Sequence, residues 1–360
     1  MKQERKITSY KGFDQDLKCR GFQYEVGKEY EIEGDIKCCK HGFHACESPL
    51  EVLDHYFLLD DCKMARFCEV EQSGELDREN NGSTKVASSK IKIKAELKFT
   101  DLIKLGVEWI KEKTSPANSK DSELNDKGGD SAKIGSSGDS AKIGSSGGSA
   151  KIGSSGDSAK IGSSGNYAQI GSSGDYAKIG SSGDSAQIGS SGDSAQIGSS
   201  GDSAKIGSSG YYAQIGSSGY YAKIGSSGDY AKIGSSGDYA KIGSSGYYAQ
   251  IGSSGGSAQI GSSGDSAKID SSGDSAQIGS SGNYAQIVST GEDSVICCAG
   301  HDSMAKAKKG SWITLAEWEY NKKKGRHIPK CVKTEYVDGE RIKEDTFYKL
   351  VDGEFKEKEL

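Results

Sequence analysis

The sequence predicts a mainly β protein, a parallel β-solenoid flanked by a small α+β N-terminal head and a C-terminal antiparallel β cap. Three observations carry that prediction. Isoleucine recurs at every ninth position from Ile134 to Ile296 with no insertion or deletion, which is the signature of a solenoid. Within each unit two apolar residues, such as Ala132 and Ile134, stand two apart, as one face of a strand requires. On either side of this array the composition returns to that of an ordinary globular chain. The expected boundaries are a head at 1–112, a linker or irregular entry at 113–128, the array at 129–305 and the cap at 306–360.

In the head, strands are expected at Phe22 to Val26 and Glu29 to Ile32, joined by a turn at Gly27-Lys28. Ser48-Pro49 reads as the N-cap and first position of a helix carrying Leu50, Val52, Leu53, Tyr56 and Phe57 on one face. Ala65 to Val70 and Lys90 to Phe99 read as strands, the second alternating through Ile91, Ile93, Ala95 and Leu97. A second helix is expected at 101–113, with Leu102, Ile103 and Trp109 apolar and covering the first coil of the solenoid.

The array repeats Asp130-Ser131-Ala132-Lys133-Ile134-Gly135-Ser136-Ser137-Gly138, positions 1 to 9. Position 2 exchanges Ser for Tyr, as at Tyr167, Tyr212 and Tyr230, and position 4 exchanges Lys for Gln. A packed interior does not accept a Ser-to-Tyr exchange, since overpacking costs roughly 1–3 kcal/mol. Positions 2 and 4 therefore face solvent and positions 3 and 5 the core. The Gly-Ser-Ser-Gly segment is the corner, where glycine and hydroxyls serve the bend. Two units per 18-residue coil are expected, because Ala and Ile suit a thin two-layer interior; three would make a 27-residue triangular coil. A flexible Gly/Ser linker would not hold isoleucine in one phase over such a length. In the cap, Trp312 to Trp318 alternates as a strand, and Asp338-Gly339 and Asp352-Gly353 are hairpin signals. The tryptophans are expected to pack on the last coil.

The net charge of -5 argues against a nucleic-acid partner. No apolar run approaches the roughly 20 residues that span a bilayer, so no membrane partner is expected. Met1 to Lys6 lacks the apolar segment of a secretory signal, and nine cysteines, an odd number, read as free thiols, so a cytoplasmic location is expected. Cys38, Cys39, His41, His44 and Cys46 are metal-ligand residue types. They crowd within nine residues, whereas structural zinc pairs ligands across a longer gap, so they read as packing. Calcium rolls need an aspartate in every corner, but Tyr211, Tyr220, Tyr247, Gly148 and Gly256 replace it here. Rows of threonine, as on ice-binding solenoids, are missing. No metal and no cofactor is expected.

Tyrosine is concentrated between Tyr211 and Tyr248. Tyr211, Tyr212, Tyr220, Tyr221, Tyr230, Tyr239, Tyr247 and Tyr248 form a candidate surface for a protein partner, exposed tyrosine being favoured at interfaces. The plainer alternative is a ladder of rings stacked along the rod. The oligomeric state is left open.

Tyr10-Lys11-Gly12-Phe13-Asp14, Leu17 to Gly27 and Gly42-Phe43-His44-Ala45-Cys46 resemble DUF7666, a domain of phage and bacterial proteins. Ser311 to Ala316 and Val337 to Glu340 resemble sequences that accompany it. The resemblance implies a phage or prophage setting and carries no activity. The expected function is thus a non-enzymatic scaffold or binding protein built on a rigid rod. Gly42 to Tyr56 also resembles the NAD-binding strand, Ser-capped helix and closing tyrosine of ADP-ribosyltransferases. That second resemblance implies Arg20, His44, Ser48 and Tyr56 as cofactor contacts and Glu69 or Glu71 as the catalytic carboxylate. It departs from the pattern in lacking Ser-Thr-Ser and in having His44 where an aromatic is usual.

Overall fold

The computed structural model describes residues 6–56, 65–78, 83–99, 101–103, 105, 106, 109, 123–125 and 131–359. Its axis is a solenoid of 18-residue coils, about ten turns long, spanning 133–315. Strands β9 (Lys133–Ser136) to β27 (Val295–Cys298) each take four residues of one unit. Every strand pairs in parallel with the one two units away, Ile143 with Ile161 and Ile152 with Ile170, so alternate units build two opposed sheets. Ala and Ile from both sheets fill the interior, with Ala159 and Ile161 fully buried. The two-unit coil and the inward placement of positions 3 and 5 are as the repeat predicts. A ladder strand β8 (Glu123–Asn125) pairs with β10 (Lys142–Ser145), so the entry segment already belongs to one sheet.

The ninth position has to be glycine. A Cβ on Gly174 would collide with the carbonyl of Gly156 one coil below. The corners themselves take two forms. Up to Tyr221 the position-2 amide donates to the preceding coil, as from Tyr212 to the Asp193 carbonyl at 2.6 Å. From Tyr230 onward it donates to the following coil, as from Tyr230 to the Tyr247 carbonyl at 2.8 Å, and φ at position 2 becomes positive. That peptide flip places non-glycine residues in the left-handed region, which costs roughly 1–2 kcal/mol per residue. In return the Asp229 carboxylate accepts the Tyr247 amide at 2.8 Å, and Asp238, Asp265 and Asp274 repeat the contact.

The head is an antiparallel β domain and barely helical, which corrects the α+β expectation. Strands β1 (Ile7–Phe13), β5 (Phe43–Cys46), β6 (Arg66–Arg78) and β7 (Lys85–Leu97) hydrogen-bond in a closed circuit, β6–β1–β5–β7–β6. Strand β4 (Glu29–Glu31) extends the β5 edge along β7. Phe22–Gln23 (β3) pairs with Lys18–Cys19 (β2), not with β4, so the expected hairpin at Gly27-Lys28 is replaced by one at Arg20-Gly21. The helix after Ser48-Pro49 shrinks to α1 (Val52–His55), with Glu51 at its N-cap position and no side-chain cap. The reason is competition. The Ser48 amide donates to Thr84 Oγ1, and the Glu51 carboxylate accepts from Ser83 and twice from Thr84, so the first turn is held by the strand beside it. Phe57 lies outside the described residues, as do most of 104–122. The described residues at 99, 101–103, 105, 106 and 109 are helical.

Those helical residues do not cover the first coil. With α1 they pack side-on against the outer face of the sheet that contains β10. Leu50 fits between Gly106 and Gly198, and Ile103 sits over Gly216. An apolar cluster of the head, including Leu53, Phe67, Phe99 and Leu102, packs with them.

In the cap, β29 (Trp312–Asn321) continues one sheet in parallel and β30 (Arg326–Tyr336) turns back along it. Strands β31 (Phe347–Val351) and β32 (Glu354–Lys358) close the other sheet through β28 (Met304–Lys306). The hairpin at Asp352-Gly353 forms, both residues having positive φ. The one expected at Asp338-Gly339 does not; the turn falls at 322–325 instead. The Asp338 carboxylate is taken up by the amides of Glu340, Arg341 and Ile342. Trp318 Nε1 donates to the Ala299 carbonyl at 3.0 Å on the last coil, whereas Trp312 is exposed beside Tyr336. Ile313, Leu315, Val337, Tyr348 and Leu350 seal the interior instead.

Candidate binding sites

Strands β1 and β5 share a single paired position, Tyr10 with Cys46. A cavity of about 590 Å3 is lined from both strands, from the β2–β3 hairpin, from 39–42 and from α1. Lys11 alternates inward with Ser9 and Phe13 and is buried. Its ammonium donates to the His44 carbonyl at 2.8 Å and stands 5.6 and 5.7 Å from the Phe13 and Tyr24 ring centres. Burial lowers its pKa against the opposing pull of Cys19. His44 is lowered too, by burial and then by the Lys11 and Arg20 charges, and its Nε2 accepts the Cys39 amide at 2.8 Å. Arg20 and Gly21 both have positive φ, as a two-residue hairpin turn requires, and this puts Arg20 at the rim. Tyr56 lies over Gly12, where any side chain would strike its ring, and its hydroxyl meets Cys19 Sγ at 2.9 Å. Burial raises the Tyr56 phenol.

Of the residues named from sequence, Arg20, His44 and Tyr56 thus meet at one cavity. Ser48 is buried outside its lining. Glu69 and Glu71 share the outer face of β6, with Val70 inward, and neither lines the cavity. Glu71 is held by Lys6 at 2.8 Å and Lys94 at 3.2 Å, which lower its pKa. Strand β1 lies between β5 and β6 and so separates His44 from Glu69 and Glu71.

Cys38, Cys39, His41 and His44 do not converge with Cys46. Cys46, Glu51 and His55 instead bring one ligand-type atom each within 4.8 Å of one another. Glu51 is already engaged by Ser83, Thr84 and Lys178, the last at 3.1 Å, and this spends it on joining head to rod. The eight cysteines among the described residues are outside any disulfide, and Cys62 lies outside those residues. No helix among the described residues is long and apolar enough to cross a membrane.

The rod offers two outer faces of the same design. On the sheet that meets the head, position-6 residues from Gly162 to Val288 are buried, Lys178 reaches Glu51, and Lys160 lies 5.6 Å from the Trp109 ring. On the opposite sheet, position 6 is open from Gly153 to Gly261, and a trough of about 1630 Å3 runs over these glycines along a single mixed row of Lys and Gln. The eight candidate tyrosines divide between the two edges. Tyr211, Tyr212, Tyr230, Tyr247 and Tyr248 occupy one, where Tyr212 stacks on Tyr230 at 5.3 Å and Tyr230 on Tyr248 at 5.1 Å. Tyr220, Tyr221 and Tyr239 occupy the other, Tyr221 stacking on Tyr239 at 5.7 Å. They are two ladders, one per edge.

Sequence reasoning missed Lys11 and the Glu51–Lys178 pair. The first had a signal, a lysine in phase with Ser9 and Phe13; the second had none, since Lys178 is one of many identical lysines.

These features define a two-sided β-solenoid bearing a closed antiparallel β head. Residues 7–105 match the family model described as a domain of unknown function, DUF7666, so the chain carries that domain followed by the solenoid. No curated protein and no solved structure matches the chain.

Proposed function

We propose that the chain is a non-enzymatic binding scaffold acting in the cytoplasm of a bacterial or phage-infected cell, with the solenoid as a rigid platform for a protein partner. The observation that supports it is the pairing of two like faces, one occupied by the head and the other open. The open face is flat, floored by glycine and bordered by Lys205, Lys223 and Lys241. Its occupied twin gives the mode of contact: apolar side chains over glycine and a carboxylate on lysine. A photo-crosslinker at Gly207 should capture a protein partner in the native cell, and Lys205→Glu with Lys223→Glu should abolish capture. Capture that survives the charge reversals would refute the scaffold reading.

The alternative, an ADP-ribosyltransferase-like head, is favoured by the meeting of Arg20, His44 and Tyr56 at one cavity. It is disfavoured by the position of Glu69 and Glu71 outside it, since oxocarbenium-like charge needs a nearby carboxylate. Nicotinamide release from NAD by the full chain, lost in Glu69→Gln or Glu71→Gln, would establish it.

A further inference from the structure

We propose that the head cavity is a binding site for a small organic phosphate, with Lys11 at its depth and Arg20 at its mouth receiving the anion. Lys11 is buried and Arg20 exposed, and among the described residues neither is paired with a carboxylate. The cavity lining holds Lys11, Arg20, Lys40 and Lys85 and, among the described residues, no aspartate or glutamate. A buried cation without a counter-charge is costly, and an anion in the cavity would supply one. Burial lowers both Lys11 and His44, and the Arg20 charge lowers each further. Several cations favour a dianion over a single carboxylate, and guanidinium geometry suits phosphate oxygens. Phe22, Tyr24 and Phe43 pack edge-to-face at centroid distances of 4.8 to 6.3 Å and form an aromatic wall for the rest of the molecule. A volume of about 590 Å3 suits a ligand of mononucleotide size. The inference is independent of any partner on the rod, and it involves no bond-breaking step.

The test is calorimetric titration of the full chain with phenyl phosphate, inorganic phosphate and phenol. Phenyl phosphate is expected to bind, inorganic phosphate to compete with it, and phenol to bind at least tenfold more weakly. Arg20→Ala, at an exposed hairpin tip, should weaken phenyl phosphate at least tenfold with an unchanged melting curve. Lys11→Met should abolish binding, with circular dichroism checking that the head is intact. If Lys11→Met unfolds the head, Arg20→Ala alone decides. Equal binding of phenol and phenyl phosphate, no binding of either phosphate at millimolar concentration, or indifference to Arg20→Ala would overturn the proposal.

Discussion

The two outer faces of the rod are built from one nonapeptide, yet one is buried under the head and the other is open. On the buried face Leu50 and Ile103 rest on Gly198 and Gly216, and Glu51 meets Lys178. On the open face Gly189, Gly207 and Gly225 would each accept a Cβ with nothing within 4 Å. Up to Gly261 positions 4 and 6 read alike on both sides, Asp270 and Val288 being later exceptions on the covered side. The repeat around the head contacts therefore does not choose its covered face. The choice is made by a few head residues. A regular solenoid therefore supplies equivalent docking rows, and specificity is carried by whatever is brought to them.

The largest expected effect ignores the comparison altogether. Ile206→Asp on the open sheet and Ile215→Asp on the covered sheet both place an unpaired charge in the shared interior. Each should cost about 4 kcal/mol or more in thermal unfolding, and a large difference between them would break the two-layer picture. Next comes the junction. Glu51→Ala strands Lys178 in a largely covered site and should cost about 3–5 kcal/mol, read as release of the head to protease. Lys205→Met on the open face should stay within about 0.5 kcal/mol. Burial alone would raise the Glu51 carboxyl, but Lys178, Ser83 and Thr84 bring it below its ordinary value. Its contribution is therefore complete above the ordinary carboxylate pKa and is lost as pH falls through the lower folded value. Stepwise acidification should loosen the head before the rod. A smaller and sharper contrast is steric. Gly216→Val meets Ile103 Cδ1, 2.5 Å from the added Cβ, and should cost about 1–3 kcal/mol, whereas Gly207→Val should be silent.

What could be read from sequence follows the same division. The coil length and the inward Ala and Ile were legible because a fixed period leaves one solution for the interior. The covered face was not, because Lys178 and Lys241 stand in identical units of sequence. In the head, strand β6 runs to Arg78, well past the expected Val70. Its pairing with β7 shifts register between Ser73 and Leu76, around Gly74 with φ of 76°, which interrupts the alternation. The helix at Ser48-Pro49 was overextended because the pull of Thr84 on Ser48 and Glu51 crosses 33 residues or more of chain. Arg20, His44 and Tyr56 could be grouped from a motif. Lys11, the most buried cation of that cavity, lies in the Tyr10–Asp14 segment of the DUF7666 resemblance, which carries no role for it.

The smallest expected effects lie on the edges between the two faces, where they separate ladder from interface. Tyr212 and Tyr230 are exposed, so removing a ring uncovers little core. Tyr230 holds a positive φ, but Ser257, Ser266 and Ser275 hold the same conformation in later coils, so serine is already tolerated there. Tyr230 also stands between Tyr212 and Tyr248, and its loss interrupts two ring contacts. Tyr212→Ser should change stability by no more than about 0.5 kcal/mol, and Tyr230→Ser by slightly more. Melting curves would resolve the order, and a cost for Tyr212→Ser comparable to that of Ile206→Asp would sink the assignment of position 2 to the surface. Partner capture at Gly207 gives the second reading. If Tyr221→Ser with Tyr239→Ser lowers capture more than tenfold while stability holds, that edge belongs to the partner's footprint. If capture is unchanged, the rings serve as a ladder and the contact is confined to the lysine row.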